Sequence, residues 1–174
     1  MIATVYIFAI FLTSVWMQAF FGYFGVIVPF SALSMVYITI VYGWRIGIFY
    51  SIVTGLVTGL LYGDFITNFR IFQMVIISVV SVVWLYKGDV KIMSLQFIPG
   101  AVASFLYSFP LIYECYDTLE SGFFLVLKNV AILIFAVVAG GVIFPFYIKI
   151  LDFFSNKLKL DRYTKAKERW LKGN

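Results

Sequence analysis

The chain has 174 residues, 63% of them hydrophobic and only 12% charged, with a mean hydropathy of +1.02. That is too apolar to maintain a wetted surface, so a water-soluble globular domain is excluded. The sequence has no His and a single Cys, Cys115, which removes the usual ligands of metal and redox centres and leaves no internal disulfide.

Six apolar runs follow one another with short polar breaks, and each is long enough to be read as a transmembrane helix across a hydrocarbon core of about 30 Å. They run from Ile2 to Phe21, Val26 to Trp44, Ile46 to Gly63, Ile71 to Tyr86, Ile92 to Tyr113, and Phe123 to Ile148. The first lacks a basic flank and a small-residue cleavage site, so it is expected to be a retained helix. The fourth is the shortest, and interfacial Trp84 and Tyr86 with the flanking Arg70 and Lys87 are expected to anchor its ends. Gly and Pro within several runs are compatible with membrane helices, whose neighbours re-satisfy the backbone. Alternating ten-residue strands of the barrel type are absent from the pattern.

Orientation follows from the cations, because short loops rich in Lys and Arg stay cytoplasmic. The tail carries Lys149, Lys157, Lys159, Arg162, Lys165, Lys167, Arg169 and Lys172 against Asp152, Asp161 and Glu168, a balance equal to the whole net charge of +5. With the tail inside, six crossings place Arg45, Lys87 and Lys91 in cytoplasmic loops. Asp64, Glu114, Asp117 and Glu120 then lie outside with Arg70. The expected organisation is a six-helix transmembrane bundle over residues 1–148 with both ends inside, followed by a basic tail over 149–174. Leu151, Phe154, Leu158, Tyr163 and Trp170 make that tail a candidate amphipathic helix on the inner leaflet, attracted to anionic lipids. A membrane-tethered basic tail already has a lipid partner, so nucleic acid is not expected.

In the third run Gly47, Ser51, Gly55, Gly59 and Gly63 recur every fourth residue and form one ribbon of small side chains. Such ribbons let helix backbones approach closely in lipid. The ribbon is built either for another helix of the same chain or for a partner's helix. Asp64 ends it at the outer interface. Lys128 lies within the sixth run, close enough to the surface to snorkel toward Glu114, Asp117 or Glu120. Gln18, Gln73, Gln96 and Asn129 are spread singly, as interhelical hydrogen-bonding residues are. No nucleophile with a base, no mid-membrane carboxylate pair and no phosphate-cradling motif is present in the pattern. An enzyme is therefore not expected, and neither is a cofactor.

Three stretches together resemble the MreD family of bacterial rod shape-determining membrane proteins. They are Gln18, a loop, Pro29 opening the second span and Arg45 after it; Gly55-Leu-Val-Thr-Gly59-Leu-Leu; and Gly141-Val-Ile-Phe-Pro145-Phe before a basic tail. The family's acidic residue four positions after the second glycine is Gly63 here, with Asp64 one place later. A shift of one residue turns a helical side chain by about 100°, so no family role is carried to Asp64. The resemblance implies a non-enzymatic scaffold of the cell-elongation complex in the bacterial inner membrane. It would bind the bitopic protein MreC and, through it, link MreB to RodA and its transpeptidase. On this reading the Gly47 to Gly63 ribbon packs a partner's helix, and Pro29 and Pro145 shape their spans. Lys157, Lys159, Arg162, Lys165, Lys167 and Arg169 meet lipid or cytoskeleton.

The family's fold is similar to that of the substrate-binding S-components of energy-coupling-factor vitamin transporters, which supplies a second reading, since fold does not assign function. S-components dock through an AxxxA-type face in the first helix. Ala3, Ala9 and Ala19 do not give that spacing, and Trp16 and Met17 make the region bulky.

Overall fold

A computed structural model describes residues 2–24, 26, 28–61, 67–110 and 123–172. Among these residues every regular element is a helix: α1 Ile2–Tyr23, α2 Phe30–Tyr42, α3 Trp44–Leu61, α4 Thr67–Lys87, a 3-10 turn Met93–Gln96, α5 Phe97–Ser108, α6 Phe123–Lys157 and α7 Tyr163–Lys172. Four of them, α1, α3, α4 and α6, are long and apolar enough to cross a membrane. The chain is an all-α membrane protein.

The second expected span comes out shorter: α2 has 13 residues, about 20 Å at 1.5 Å per residue, less than the thickness of a hydrocarbon core. Of the fifth, the 3-10 turn leads directly into the 12 residues of α5, and its last residues, 111–113, lie outside the described residues. For α2 the reason is plain: from Phe30 to Val41 every side chain is buried, so it is apolar because protein surrounds it and not because lipid does. α1, α3, α4, α5, α6 and α7 all pack on it. The fourth span is longer than expected, and Arg70 lies a turn inside α4 instead of flanking it. The sixth runs on past Ile148 to Lys157, straight through Pro145.

Close approaches set the packing of the longer helices. A methyl group placed on Gly55 of α3 would lie 2.5 Å from the Cα of Ile71 in α4. One on Gly100 of α5 would lie 2.5 Å from Phe144 Cβ and 2.7 Å from the Gly140 carbonyl of α6. These are backbone contacts that only glycine permits. At the end of α2, Gly43 adopts φ +102°, in the left-handed region, and donates its N–H to Thr39 O at 3.1 Å, which turns the chain directly into α3.

Hydrogen bonds fix which helix ends lie together. Tyr6 near the start of α1 donates to Leu151 O near the end of α6 at 2.7 Å. Arg169 of α7 donates to Val41 O at the end of α2, and Lys167 donates to Gly88 O beyond α4 at 2.6 Å. The two ends of the described chain therefore share one end of the bundle with Arg45, Lys87 and Lys91. This is the basic end. Gln18, Ser31, Arg70 and Tyr107 meet toward the other.

Candidate interaction surfaces and the polar joints of the bundle

α2 begins and ends inside protein, so its orphan backbone groups cannot all turn to water and need side-chain partners. Pro29 stands at its N-cap and supplies no side-chain hydrogen bond. Gln18 of α1 does the work instead: its Oε1 accepts the Ser31 backbone N–H at 3.1 Å and the Ser31 hydroxyl at 2.5 Å. The Gln18 amide nitrogen donates to the Tyr107 hydroxyl of α5. Arg70 lies over the Tyr107 ring, 4.9 Å from its centroid, and donates to the Tyr107 carbonyl at 3.1 Å, while Gln73 donates to Leu106 O at 2.7 Å. Two of the glutamines that look scattered in sequence thus meet in one joint between α1, α2, α4 and α5. Neither Ser31 nor Tyr107 is singled out by the sequence pattern.

A second joint lies at the basic end. Asp152 of α6 accepts the Tyr163 backbone N–H at 2.8 Å and the Thr164 N–H and hydroxyl at 3.4 and 3.3 Å. A carboxylate is thereby seated on the N-terminus of α7, where donors and helix dipole both favour it. The Tyr37 hydroxyl of α2 donates to the same carboxylate at 2.9 Å. The Tyr163 hydroxyl donates to Gln96 Oε1 at 2.6 Å, and its ring stacks on Tyr37. Burial raises the pKa of Tyr163 from its ordinary value of 10.0. Lys91 pairs with Glu168 at 2.7 Å, and this partner raises its pKa from 10.5. Both members of that pair are largely exposed, so it adds little to stability.

The described part of the small-residue ribbon packs within the chain at Gly47, Ser51 and Gly55. A methyl on Gly47 would strike the Thr39 side chain of α2, Ser51 hydrogen-bonds Ser78 of α4 at 2.5 Å, Gly55 rests on the α4 backbone, and Gly59 is buried. Thr39 donates to the same Ser78 at 3.1 Å, which ties α2, α3 and α4 together. Over Gly47, Ser51 and Gly55 this face is occupied by α2 and α4. Gly63, Asp64, Glu114, Cys115, Asp117 and Glu120 lie outside the described residues. Lys128 is exposed.

The tail is not one continuous surface helix. α6 holds residues through Lys157, the chain turns at Lys159 with φ 55°, and α7 folds back onto the bundle with Tyr163 and Ala166 buried. Of the six cations expected to meet lipid or cytoskeleton, Lys167 is bonded to Gly88 O, and Arg169 to Val41 O and Asp161. These two brace the fold, because cations at the C-terminal ends of α2 and α4 satisfy carbonyls that no further helical turn can. Lys157, Lys159 and Lys165 are exposed, and Arg162 is half-buried.

Among the described residues no group of three or more His, Cys, Asp or Glu side chains is placed to hold a metal ion. No protein-family model matches the chain, and no curated protein or solved structure matches it either.

Proposed function

We propose that this chain is a non-enzymatic membrane scaffold of the MreD kind, a multi-pass protein of the bacterial inner membrane with both ends in the cytoplasm. It binds MreC and so couples peptidoglycan synthesis by RodA and its transpeptidase to MreB and cell shape. The observation that carries this reading is where the residues of the resemblance fall. Gln18 and Pro29 mark the joint at the start of α2, Gly55 lies in the α3–α4 seam with Gly59 buried on the same helix, and Gly141 of α6 packs on Phe97 of α5, with Pro145 inside α6. Gln18, Pro29, Gly55 and Gly141 thus belong to joints or packing seams of one bundle, as expected when a family's pattern records a shared architecture.

Since α2 and α4 occupy the ribbon at Gly47, Ser51 and Gly55, contact with MreC is assigned to the outward faces of the bundle. The exposed cations Lys157, Lys159 and Lys165, with half-buried Arg162, face anionic lipid or the cytoskeletal partner at the basic end. The gathering of Arg45, Lys87, Lys91 and the tail cations at that end supports a cytoplasmic location for it.

The test is a mild-detergent pull-down of the tagged full chain from its native membrane, read by mass spectrometry for proteins and small molecules. Recovery of MreC with cell-wall synthases supports the scaffold. A stoichiometric vitamin together with an ATP-driven coupling module overturns it in favour of an S-component.

A further inference from the structure

Between α1 and α6 runs an apolar groove of about 470 Å³, within the range of about 300–1,000 Å³ usual for small-molecule sites. Ala9, Ile10 and Thr13 form one wall, Phe146, Ile150 and Phe154 the other. Its hydroxyls are already committed. Thr13 donates to Ala9 O at 2.7 Å, Ser14 to Phe11 O at 2.8 Å and Tyr6 to Leu151 O at 2.7 Å. The groove thus offers apolar contact and little hydrogen bonding, which selects a hydrocarbon occupant.

Its length narrows the choice. From Tyr6 to Met17 it follows α1 for about 16 Å at 1.5 Å per residue, half of a hydrocarbon core of about 30 Å. A bitopic partner's helix must cross the whole core with about 20 residues and would overrun the groove, whereas a lipid chain from one leaflet fits it. Tyr6, Leu151 and Phe154 form the part of the lining nearest the basic end. Lys149, Phe153 and Lys157 recur every fourth residue on α6 beside that lining, Lys157 three residues beyond Phe154. The Lys149 ammonium is 5.8 Å from the centroid of groove-lining Phe146, and that of Lys157 is 4.6 Å from the centroid of Phe153. Both cations are exposed, α1 carries no acidic residue, and the one carboxylate of α6, Asp152, is turned inward onto Tyr37 and Tyr163.

We propose that this groove is a binding site for one anionic phospholipid of the leaflet at the basic end, with an acyl chain between α1 and α6 and the headgroup phosphate between Lys149 and Lys157. The site requires membrane residence and is independent of the scaffold reading. It differs from general attraction of the tail to a charged surface in holding a lipid through detergent extraction.

The experiment is native mass spectrometry of the purified, delipidated full chain titrated with phosphatidylglycerol or phosphatidylcholine. Its fold is checked by circular dichroism and thermal melting. One phosphatidylglycerol is retained per chain with a preference of about tenfold, in line with two cations near the phosphate. The double substitution Lys149→Gln and Lys157→Gln removes the headgroup preference, and Ala9→Phe, or the milder Thr13→Leu should that variant not fold, removes retention. Equal retention of both lipids, or retention of phosphatidylglycerol unchanged by the groove-filling variants, overturns the proposal. So does a dimer mass that Ala9→Phe abolishes, since it gives the groove to a second copy of the chain.

Discussion

The Asp152 carboxylate accepts the backbone N–H of Tyr163 at 2.8 Å from the far side of the turn that separates α6 from α7. One side chain thereby caps α7, receives Tyr37 from α2 and commits the basic tail to a defined place under the bundle. Replacing Asp152 with Ala leaves the first N–H groups of α7 without their acceptor and the Tyr37 hydroxyl with only Ser155 Oγ at 3.1 Å. We expect a loss of about 1–3 kcal/mol. Hydrogen exchange over 163–172 should rise toward that of an undocked helix, while exchange in α3 and α4 stays low. Unchanged protection of 163–172 contradicts the capping role.

Docking of α7 should also fail in alkali. Tyr163 and Lys91 both have pKa values raised above their ordinary 10.0 and 10.5 when the tail is docked. The undocked state therefore loses these protons first, and the contribution of both groups is complete below about pH 10 and is lost as pH rises through the docked values. Trypsin cleavage at Lys165 in protein-containing vesicles should stay slow from pH 7 to about pH 10 and accelerate above it. Tyr163→Phe should flatten that rise. A loss of docking on going from pH 8 to pH 6 would have the wrong sign.

Gln18→Leu keeps the volume of the joint at the start of α2 but strands the Ser31 N–H and removes the amide donor to the Tyr107 hydroxyl. The expected cost is about 1–3 kcal/mol of stability, read as a lower midpoint in denaturing-detergent titration. Gln18→Glu restores an acceptor and should recover part of it. A midpoint equal to the native chain's for Gln18→Leu would show that the joint is not a stabilising feature.

For the α3–α4 seam, Gly55→Ala places a methyl against the Ile71 backbone, 2.5 Å from its Cα and 2.8 Å from its nitrogen, so the helices must separate. Overpacking of this kind costs about 1–3 kcal/mol. The denaturation midpoint should fall accordingly, and Gly55→Leu should cost more than Gly55→Ala. Any loss of a partner on Gly55→Leu would then follow from the damaged bundle. Full stability of Gly55→Leu would mean that the face is open after all.

Hydropathy alone locates the four long helices among the described residues, because an apolar run of membrane length has one physical use. It misjudges α2 for the same reason. A short helix enclosed by protein is as apolar as one facing lipid, and Val26 and Val28 before Pro29 extend the run without extending the helix. The ribbon from Gly47 to Gly59 is visible as a packing face, but small residues carry no label saying whose helix arrives. The tail reads as a continuous amphipathic stretch because its break falls at Lys159, a residue type that gives no stop signal, where Gly or Asn would. The joints built on Gln18 and Asp152 stay hidden, since their partners are set by how helices distant in sequence meet.

The account rests on the basic end of the bundle facing the cytoplasm, and cysteine labelling from either side of the membrane tests that orientation directly. In intact cells or spheroplasts, a membrane-impermeant maleimide should label Cys115. In the Cys115→Ser background, Lys165→Cys should be labelled only after the membrane is permeabilised. Labelling of the Lys165→Cys variant from outside, with Cys115 reached only from within, would invert the protein and contradict the cytoplasmic scaffold.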